Sequence, residues 1–201
     1  FRQYLQGRVE IHQNENVISI ITDNGNVQGV RTRKGEYSAP VVVLAPGRDG
    51  AEWFVNEAKR LKIELKNNQV DIGVRVEVPA KTLEEITDRV WEPKIIYYTK
   101  EFDDPIRTFC MNPHGEVVME NTNGLITVNG HAFAKCKTPY TNFALLVSQE
   151  FTEPFNEPII YGRYIAALAN MLSGGVIVQR YGDLKKGRRS TRVRIEKGVV
   201  T

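Results

Sequence analysis

The sequence has little cysteine and no long apolar segment. Only Cys110 and Cys136 occur in 201 residues, and neither belongs to a CxxC or Cys/His ligand pattern. We therefore expect neither a disulfide framework nor a clustered metal site. No apolar run approaches the roughly 20 residues of a membrane-spanning helix, the longest candidate being the interrupted segment 159–172. The low cysteine content is typical of a reducing compartment, so we expect a cytoplasmic protein with no membrane partner.

The charge is nearly balanced overall but unevenly distributed. Lysine and arginine number 27 against 24 acidic residues, while 41% of residues are apolar and 25% are charged, as in an ordinary globular domain. Seven basic residues and one acidic residue lie between positions 185 and 197. Such a segment can bind nucleic acid or can be a solvated, unpaired terminus. Because no aromatic residue is interleaved with it, we favour the terminus and expect no nucleic-acid partner.

The first 50 residues predict a β-meander followed by a buried strand. The evidence for the meander is β-branched residues at 9–11 and 17–21, a turn at 23–26 and alternation at 27–33. Residues 39–45 are apolar at consecutive positions, which is typical of a strand covered on both faces. A helix is expected to follow and to end near residue 66, with Glu57 and Arg60 among the side chains that face water.

From Val70 the hydrophobic period becomes two. Val70, Ile72, Val74, Val76 and Val78 fall on one face of a predicted strand. Further short strands, separated by turn residues, are expected up to residue 151. A helix over 157–172 is then closed by a glycine stop at 174–175. We therefore predict an α+β fold with a mainly antiparallel sheet and a few helices.

Several segments carry a more specific signal when they are taken in order. They are residues 7–11, 25–30, 39–48, 70–79, 109–118, 128–131 and 179–184. In this combination the sequence resembles the glutathione-reductase-like flavoproteins, and in particular a family of uncharacterised bacterial and archaeal FAD-dependent dehydrogenases. The GxGxxG unit that holds the FAD pyrophosphate in that family does not occur in this sequence. We therefore expect an internal fragment of a larger enzyme.

The resemblance implies a domain division and a set of cofactor contacts. Residues 1–50 would be a partial FAD-binding segment, 51–191 a substrate domain, and 192–201 either a return strand towards the FAD domain or a tail. Residues implied to contact FAD are Val17, Ala45, Pro46, Gly47 and Arg48. Small residues at the end of a buried strand let main chain approach a dinucleotide closely. Arg48 can pair with a cofactor phosphate or form a surface ion pair. FAD is expected in the complete parent protein, and the isolated chain is expected to bind it weakly or not at all.

The catalytic residues are not determined by the sequence, which offers only candidates. Arg75 and Glu77 share a strand face, where they can clamp a carboxylate or pair with charges on a neighbouring strand. His131 can serve as a general acid or base or simply be a hydrogen-bonded loop residue. Cys110 is expected to be a buried, inert thiol. Asp183 and Arg188 either close a substrate cavity or cap a turn.

Two functions from different classes follow from these observations. The first is a fragment of an FAD-dependent oxidoreductase, a dehydrogenase, that contributes the substrate domain and part of the flavin site and is inactive by itself. The second is a stand-alone small-anion-binding module without redox chemistry. In the first case the expected partners are a small-molecule substrate, anionic if Arg75 holds it, and the remainder of the parent FAD domain.

Overall fold

The computed structural model describes residues 2–151, 154 and 157–196. Contacts divide the chain into two compact units, of which one ends at Leu65 and the other begins at Lys66. All strand pairings among the described residues are antiparallel, and short helices accompany them. The predicted α+β class is confirmed. The expected boundary after residue 50 assigns the next helix to the second domain, whereas the contacts place that helix in the first unit.

The first unit contains a three-stranded antiparallel meander. The strands of the meander are β1 (Val17–Asp23), β2 (Asn26–Thr32) and β3 (Glu36–Ser38). The same unit contains the helices α1 (Arg2–Leu5) and α2 (Ala51–Arg60). Asn24 and Gly25, which join the first two strands, have φ angles of 48° and 80°. A type I′ turn, one of the two common two-residue hairpin turns, has positive φ at both positions, and β1 pairs with β2 across it, so the predicted hairpin is confirmed. Residues 9–11 form no strand.

Helix α2 covers the free edge of β1 with polar side chains. Trp53 Nε1 donates a 2.9 Å hydrogen bond to Ile18 O. Glu57 Oε1 accepts a 2.6 Å bond from Ile20 N, and Arg60 Nη2 donates at 2.6 Å to both Ile20 O and Glu57 Oε1. The expectation that Glu57 faces water is wrong, because the unpaired backbone groups of an edge strand need partners. Arg60 stays exposed, as expected, while it donates to the strand. The helix also ends earlier than expected, at Arg60.

The buried strand predicted over residues 39–45 does not form. Ala39 N still donates to Gln28 O at 2.9 Å, but residues 40–46 belong to no strand. Val41 and Val43 are 73% and 86% exposed. An apolar run becomes a covered strand only when neighbouring strands pair with it, and the strands of the first unit pair only with one another. The prediction of a covered strand is therefore wrong for the described chain.

The second unit is built on a four-stranded antiparallel sheet and a separate hairpin. The sheet has the order β4-β9-β6-β5 and comprises β4 (Val70–Pro79), β5 (Ile96–Tyr98), β6 (Pro105–Asn112) and β9 (Tyr140–Gln149). The hairpin comprises β7 (Glu116–Thr122) and β8 (Leu125–His131). The predicted antiparallel signature over residues 70–151 is confirmed.

The pairing of β4 with β9 sets the two faces of this sheet. Val76 lies opposite Phe143 on one face, and Arg75 lies opposite Ala144 on the other. Because side chains alternate along a strand, the five valine and isoleucine residues of β4 share the first face. The second face carries Asp71, Arg75 and Glu77 and is called the charged face below.

The helices of the second unit are short except for one. They are α3 (Glu84–Thr87), α4 (Pro158–Ser173), α5 (Tyr181–Leu184) and α6 (Arg192–Glu196). Gly174, at the end of α4, has a φ of 68°, which confirms the predicted glycine stop. The return strand expected from residue 192 is not present over 192–196, which are helical, and residues 197–201 lie outside the described chain. No helix among the described residues is long and apolar enough to cross a membrane.

Candidate functional site

Arg75 is the centre of a polar cluster on the charged face of the second unit. The residue opposite it on β9 is Ala144, whose small side chain lets the guanidinium reach across β9. Arg75 thereby contacts Asn142 on β9 and the backbone of Cys110 on β6, beneath Gly130 of β8. We call these four residues, Arg75, Cys110, Gly130 and Asn142, the Arg75 cluster.

Three hydrogen bonds hold the guanidinium in place. Arg75 Nε donates to Asn142 Oδ1 at 2.9 Å, and Nη2 donates to the same oxygen at 2.6 Å. Nη2 also donates to Cys110 O at 2.7 Å. A guanidinium has five N–H groups, and the two N–H groups of Nη1 have no acceptor among the described residues.

A bulge in β6 creates the carbonyl that Arg75 binds. The pairing between β6 and β9 is interrupted between Phe109 and Asn112, and Cys110 has a φ of 44°. Cys110 O accepts hydrogen bonds from Arg75 Nη2 and from Asn112 Nδ2, both at 2.7 Å. Bulges redirect backbone groups and are frequent near functional sites. The part of Cys110 in this cluster is its carbonyl oxygen.

Gly130 covers the guanidinium from the hairpin β7–β8. A Cβ atom at position 130 would collide with Arg75 Nη2 and with Asn142 Oδ1. The close approach therefore depends on glycine, although the φ of Gly130 is not positive. The hairpin closes one side of the Arg75 cluster.

The charge of Arg75 has no opposite charge beside it. The side chain is half-buried, and within the described residues no carboxylate forms an ion pair with it. Burial lowers the pKa of the guanidinium, because removal from water disfavours the charged form. A half-buried cation without a counter-ion is unusual and marks this cluster as the candidate anion site.

The expected clamp of Arg75 on a carboxylate needs one correction. Two-nitrogen recognition uses parallel N–H groups from Nε and Nη2 or from Nη1 and Nη2. Asn142 and Cys110 already accept from Nε and from Nη2. A bidentate fork on a ligand is therefore not available in this arrangement, and involvement of Arg75 in substrate binding stays a prediction that rests on Nη1.

Asn142 was not among the candidates, although it is the main partner of Arg75. Its side chain is fully buried, and its amide oxygen must face the guanidinium because arginine only donates. Asn142 Nδ2 then finds no acceptor among the described residues. The available signal in the sequence is the polar pair at 141–142, directly before the apolar run that starts at residue 143.

The other candidates on these strands lie apart from the cluster. Glu77 is half-buried on the charged face opposite Asn142, without an ion pair to Arg75 in the described chain. His131 is exposed at the end of β8, where it lies opposite Glu116. Its ring centroid is 6.4 Å from that of Phe133. Neither general acid or base chemistry nor a paired clamp is assembled around these two residues.

Asp183 forms a second polar cluster that is closed on itself. Its side chain is 3% exposed, and Oδ1 accepts from Arg188 Nε at 2.6 Å and from Arg194 Nη1 at 3.3 Å. Oδ2 accepts from Ser190 Oγ at 2.9 Å. These contacts, Arg188 first, lower the pKa of Asp183. The expectation of an unpaired basic terminus is wrong for Arg188 and Arg194, and Asp183 and Arg188 hold a turn.

An open polar cleft of about 600 Å³ lies at the other end of the charged face. Arg107 Nη2 and Asp71 Oδ2 are 2.6 Å apart there, and Ser148 Oγ donates to Asp71 Oδ1 at 2.7 Å. Gln69 donates to Glu150 at its rim. Because its arginine is paired with a carboxylate, this cleft offers a ligand little net charge.

The residues implied to bind FAD all lie in the first unit. Val17 is the first residue of β1, and Ala45, Pro46, Gly47 and Arg48 form an exposed loop and turn before α2. Gly47 has a φ of 68° and open space around it, so the turn is accessible. The paired strand that would carry it is missing. In the described chain these residues lie on a loop and not at the end of a paired strand, and their contact with FAD stays a prediction.

Comparison of the sequence with protein-family models gives no match, and comparison with curated proteins gives none either. The dehydrogenase resemblance therefore stays a prediction. Among the described residues no group of three or more His, Cys, Asp or Glu side chains is arranged to hold a metal ion.

Proposed function

We propose that the second unit binds a small molecule through a carboxylate at Arg75, and that it does so as the substrate domain of an FAD-dependent oxidoreductase. The observation that supports the binding step is the half-buried guanidinium without a carboxylate partner in the described chain. Ligand binding would provide the missing negative charge at Nη1. The oxidoreductase context is supported by the ordered sequence resemblance alone.

The energetics favour an anion at this position. Burying a cation costs free energy unless hydrogen bonds and an opposite charge compensate. The carbonyl of Cys110 and the amide oxygen of Asn142 provide hydrogen bonds but no negative charge. A carboxylate oxygen at Nη1 supplies this negative charge. The charge-assisted hydrogen bond that it accepts contributes about twice as much binding free energy as a neutral hydrogen bond.

A stand-alone small-anion-binding module is the second candidate function. The observation that favours it is the missing strand over residues 40–46, which leaves the residues implied to contact FAD without a cradle. In this alternative the Arg75 cluster binds its ligand in the same way, and no flavin is involved. The two candidates therefore share the binding site and differ in the redox chemistry.

The binding step is tested by titrating the full chain with sodium acetate while recording the backbone amide shift of Gly130. We expect a saturable shift in the wild type and its loss in Arg75→Gln, because that substitution removes the charge and Nη1. Arg107→Gln is the matched control, since Arg107 lies on the same face but is already paired with Asp71. An acetate response that survives in Arg75→Gln would refute this function.

The two candidate functions can be distinguished with protein that is expressed from the whole reading frame that encodes this chain. A flavin absorbance band that is bleached by a carboxylate substrate, with kcat/KM reduced at least about tenfold in Arg75→Gln, would support the oxidoreductase. Purified protein without flavin, which still binds acetate through Arg75, would support the anion-binding module.

A further inference from the structure

We propose that Asn142 and Gly130 make the Arg75 cluster selective for a singly charged carboxylate over a dianionic, tetrahedral oxyanion. This inference rests on the proposed function, because it assumes that an anion binds at Arg75. It assigns specificity to two residues that do not carry charge: a buried amide and a glycine.

The first step is the commitment of the guanidinium nitrogens. Asn142 Oδ1 accepts from Nε and Nη2, and Cys110 O accepts the second N–H of Nη2. A ligand therefore reaches only the two N–H groups on Nη1. Arginine binds phosphate and sulfate strongly when two nitrogens face two oxygens in parallel, and that arrangement is blocked here. A single ligand oxygen at Nη1 is the contact that the geometry permits.

The second step is the local charge. Arg75 supplies one positive charge, and the other arginine on this face, Arg107, is paired with Asp71. One carboxylate balances the single positive charge of the Arg75 cluster. A second negative charge on the ligand would have no further positive partner within the cluster.

The third step is steric. Gly130 lies so close to Nη2 and to Asn142 Oδ1 that any side chain there would collide with both atoms. The hairpin therefore keeps the Nε and Nη2 edge of the guanidinium against Asn142. Asn142 and Gly130 are positioning residues, since they act on the ligand through Arg75.

Selectivity is measured as the ratio of the dissociation constants of sulfate and acetate for the full chain, read from the Gly130 amide shift. In Asn142→Ala, Nε and Nη2 lose the acceptor that fixes them, so the guanidinium can rotate and present two nitrogens to a ligand. We expect the sulfate-to-acetate ratio to fall at least about tenfold relative to the wild type. In Asn142→Asp the hydrogen bonds persist but the charge of Arg75 is neutralised, so the affinity for both anions should fall at least about tenfold.

Each outcome bears on this proposal. A folded Asn142→Ala variant whose ratio stays within about twofold of the wild type would overturn it. If the alanine variant does not fold, as judged by its amide spectrum, Gly130→Ala decides, because its Cβ would displace the guanidinium from Asn142. A sulfate-to-acetate ratio within about twofold of the wild type overturns the proposal, and a fall of about tenfold supports it. An acetate response in the wild type that is insensitive to Arg75→Gln would instead refute the proposed function, so the two failures are distinguishable.

Discussion

Asp183 and Arg75 are buried or half-buried charged groups of the second unit, but their surroundings differ. Asp183 is enclosed by two arginines and a serine hydroxyl, so that both carboxylate oxygens have donors. Arg75 is held by an amide oxygen and a backbone carbonyl, neither of which is charged. Asp183 therefore has opposite charges beside it, whereas no carboxylate pairs with Arg75 among the described residues.

This difference predicts a structural role for Asp183 and a binding role for Arg75. Removing a carboxylate that accepts from several donors leaves those donors without an acceptor. A half-buried cation without a carboxylate partner is stabilised when an anion binds to it. We expect substitutions at Asp183 to change the stability of the fold and substitutions at Arg75 to change the affinity for anions.

The largest expected effect is on stability at Asp183. Asp183→Ala removes the common acceptor of Arg188, Arg194 and Ser190, and we expect it to cause the largest fall in melting temperature of the variants considered. Glu196→Ala is the matched control, because Glu196 and Arg192 form an exposed ion pair, which contributes little. Calorimetry of both variants provides the test, and equal melting temperatures would contradict the structural role of Asp183.

Acid should remove the contribution of Asp183 without a mutation. The pKa of Asp183 is lowered from its ordinary value of 3.8 in the folded chain, chiefly by the Arg188 hydrogen bond. A carboxyl with a lowered folded pKa stabilises the fold above its ordinary pKa, and this stability is lost as the pH falls through the folded value. The stability advantage of the wild type over Asp183→Asn should therefore shrink below pH 3.8. Denaturant unfolding across this range measures it, and an advantage that grew in acid would show the wrong sign.

Ligand-dependent stabilisation should follow Arg75 instead. At an acetate concentration ten times its dissociation constant, binding to the folded state alone should raise the free energy of unfolding of the second unit by about 1.4 kcal/mol. Arg75→Gln should lose this increment, whereas Asp183→Asn should keep it. Thermal unfolding at constant ionic strength with acetate or chloride is the measurement. Equal stabilisation of the wild type, Arg75→Gln and Asp183→Asn by acetate would contradict binding at Arg75.

The smallest effect is expected at Cys110. Its carbonyl, not its thiol, contacts Arg75, so Cys110→Ser should change the acetate dissociation constant by less than about twofold, as for a substitution outside the contact. Serine can adopt the same backbone conformation as cysteine at a φ of 44° with similar strain. The acetate titration provides the readout. Loss of binding in a folded variant would mean that the thiol takes part.

The elements with a regular period could be predicted from the sequence. The alternation at 70–78 appears as β4, and Gly174 ends α4 as a glycine stop should. These features depend on neighbouring residues only. The run at 39–45 has an equally clear pattern but forms no strand, because a covered strand depends on partners that no local pattern specifies.

The site was only partly predictable for the same reason. The face on which Arg75 lies follows from the period of two, since a one-residue slip would bury its charged neighbours. Its partners did not follow. Asn142 and Cys110 are 67 and 35 residues away in sequence, and their contacts with Arg75 depend on strand order and on a bulge. The buried position of Glu57 likewise depends on the edge of β1 that α2 covers.

The sequence by itself determined the α+β class, the meander turn, the strand alternation and the face of the sheet that carries Arg75. Those properties follow from backbone geometry and from short-range side-chain patterns. The tertiary structure alone decided which charges are paired, because pairing requires groups from distant strands to meet at hydrogen-bond distance. That is why Asp183 is paired within the fold, whereas Nη1 of Arg75 has no acceptor among the described residues.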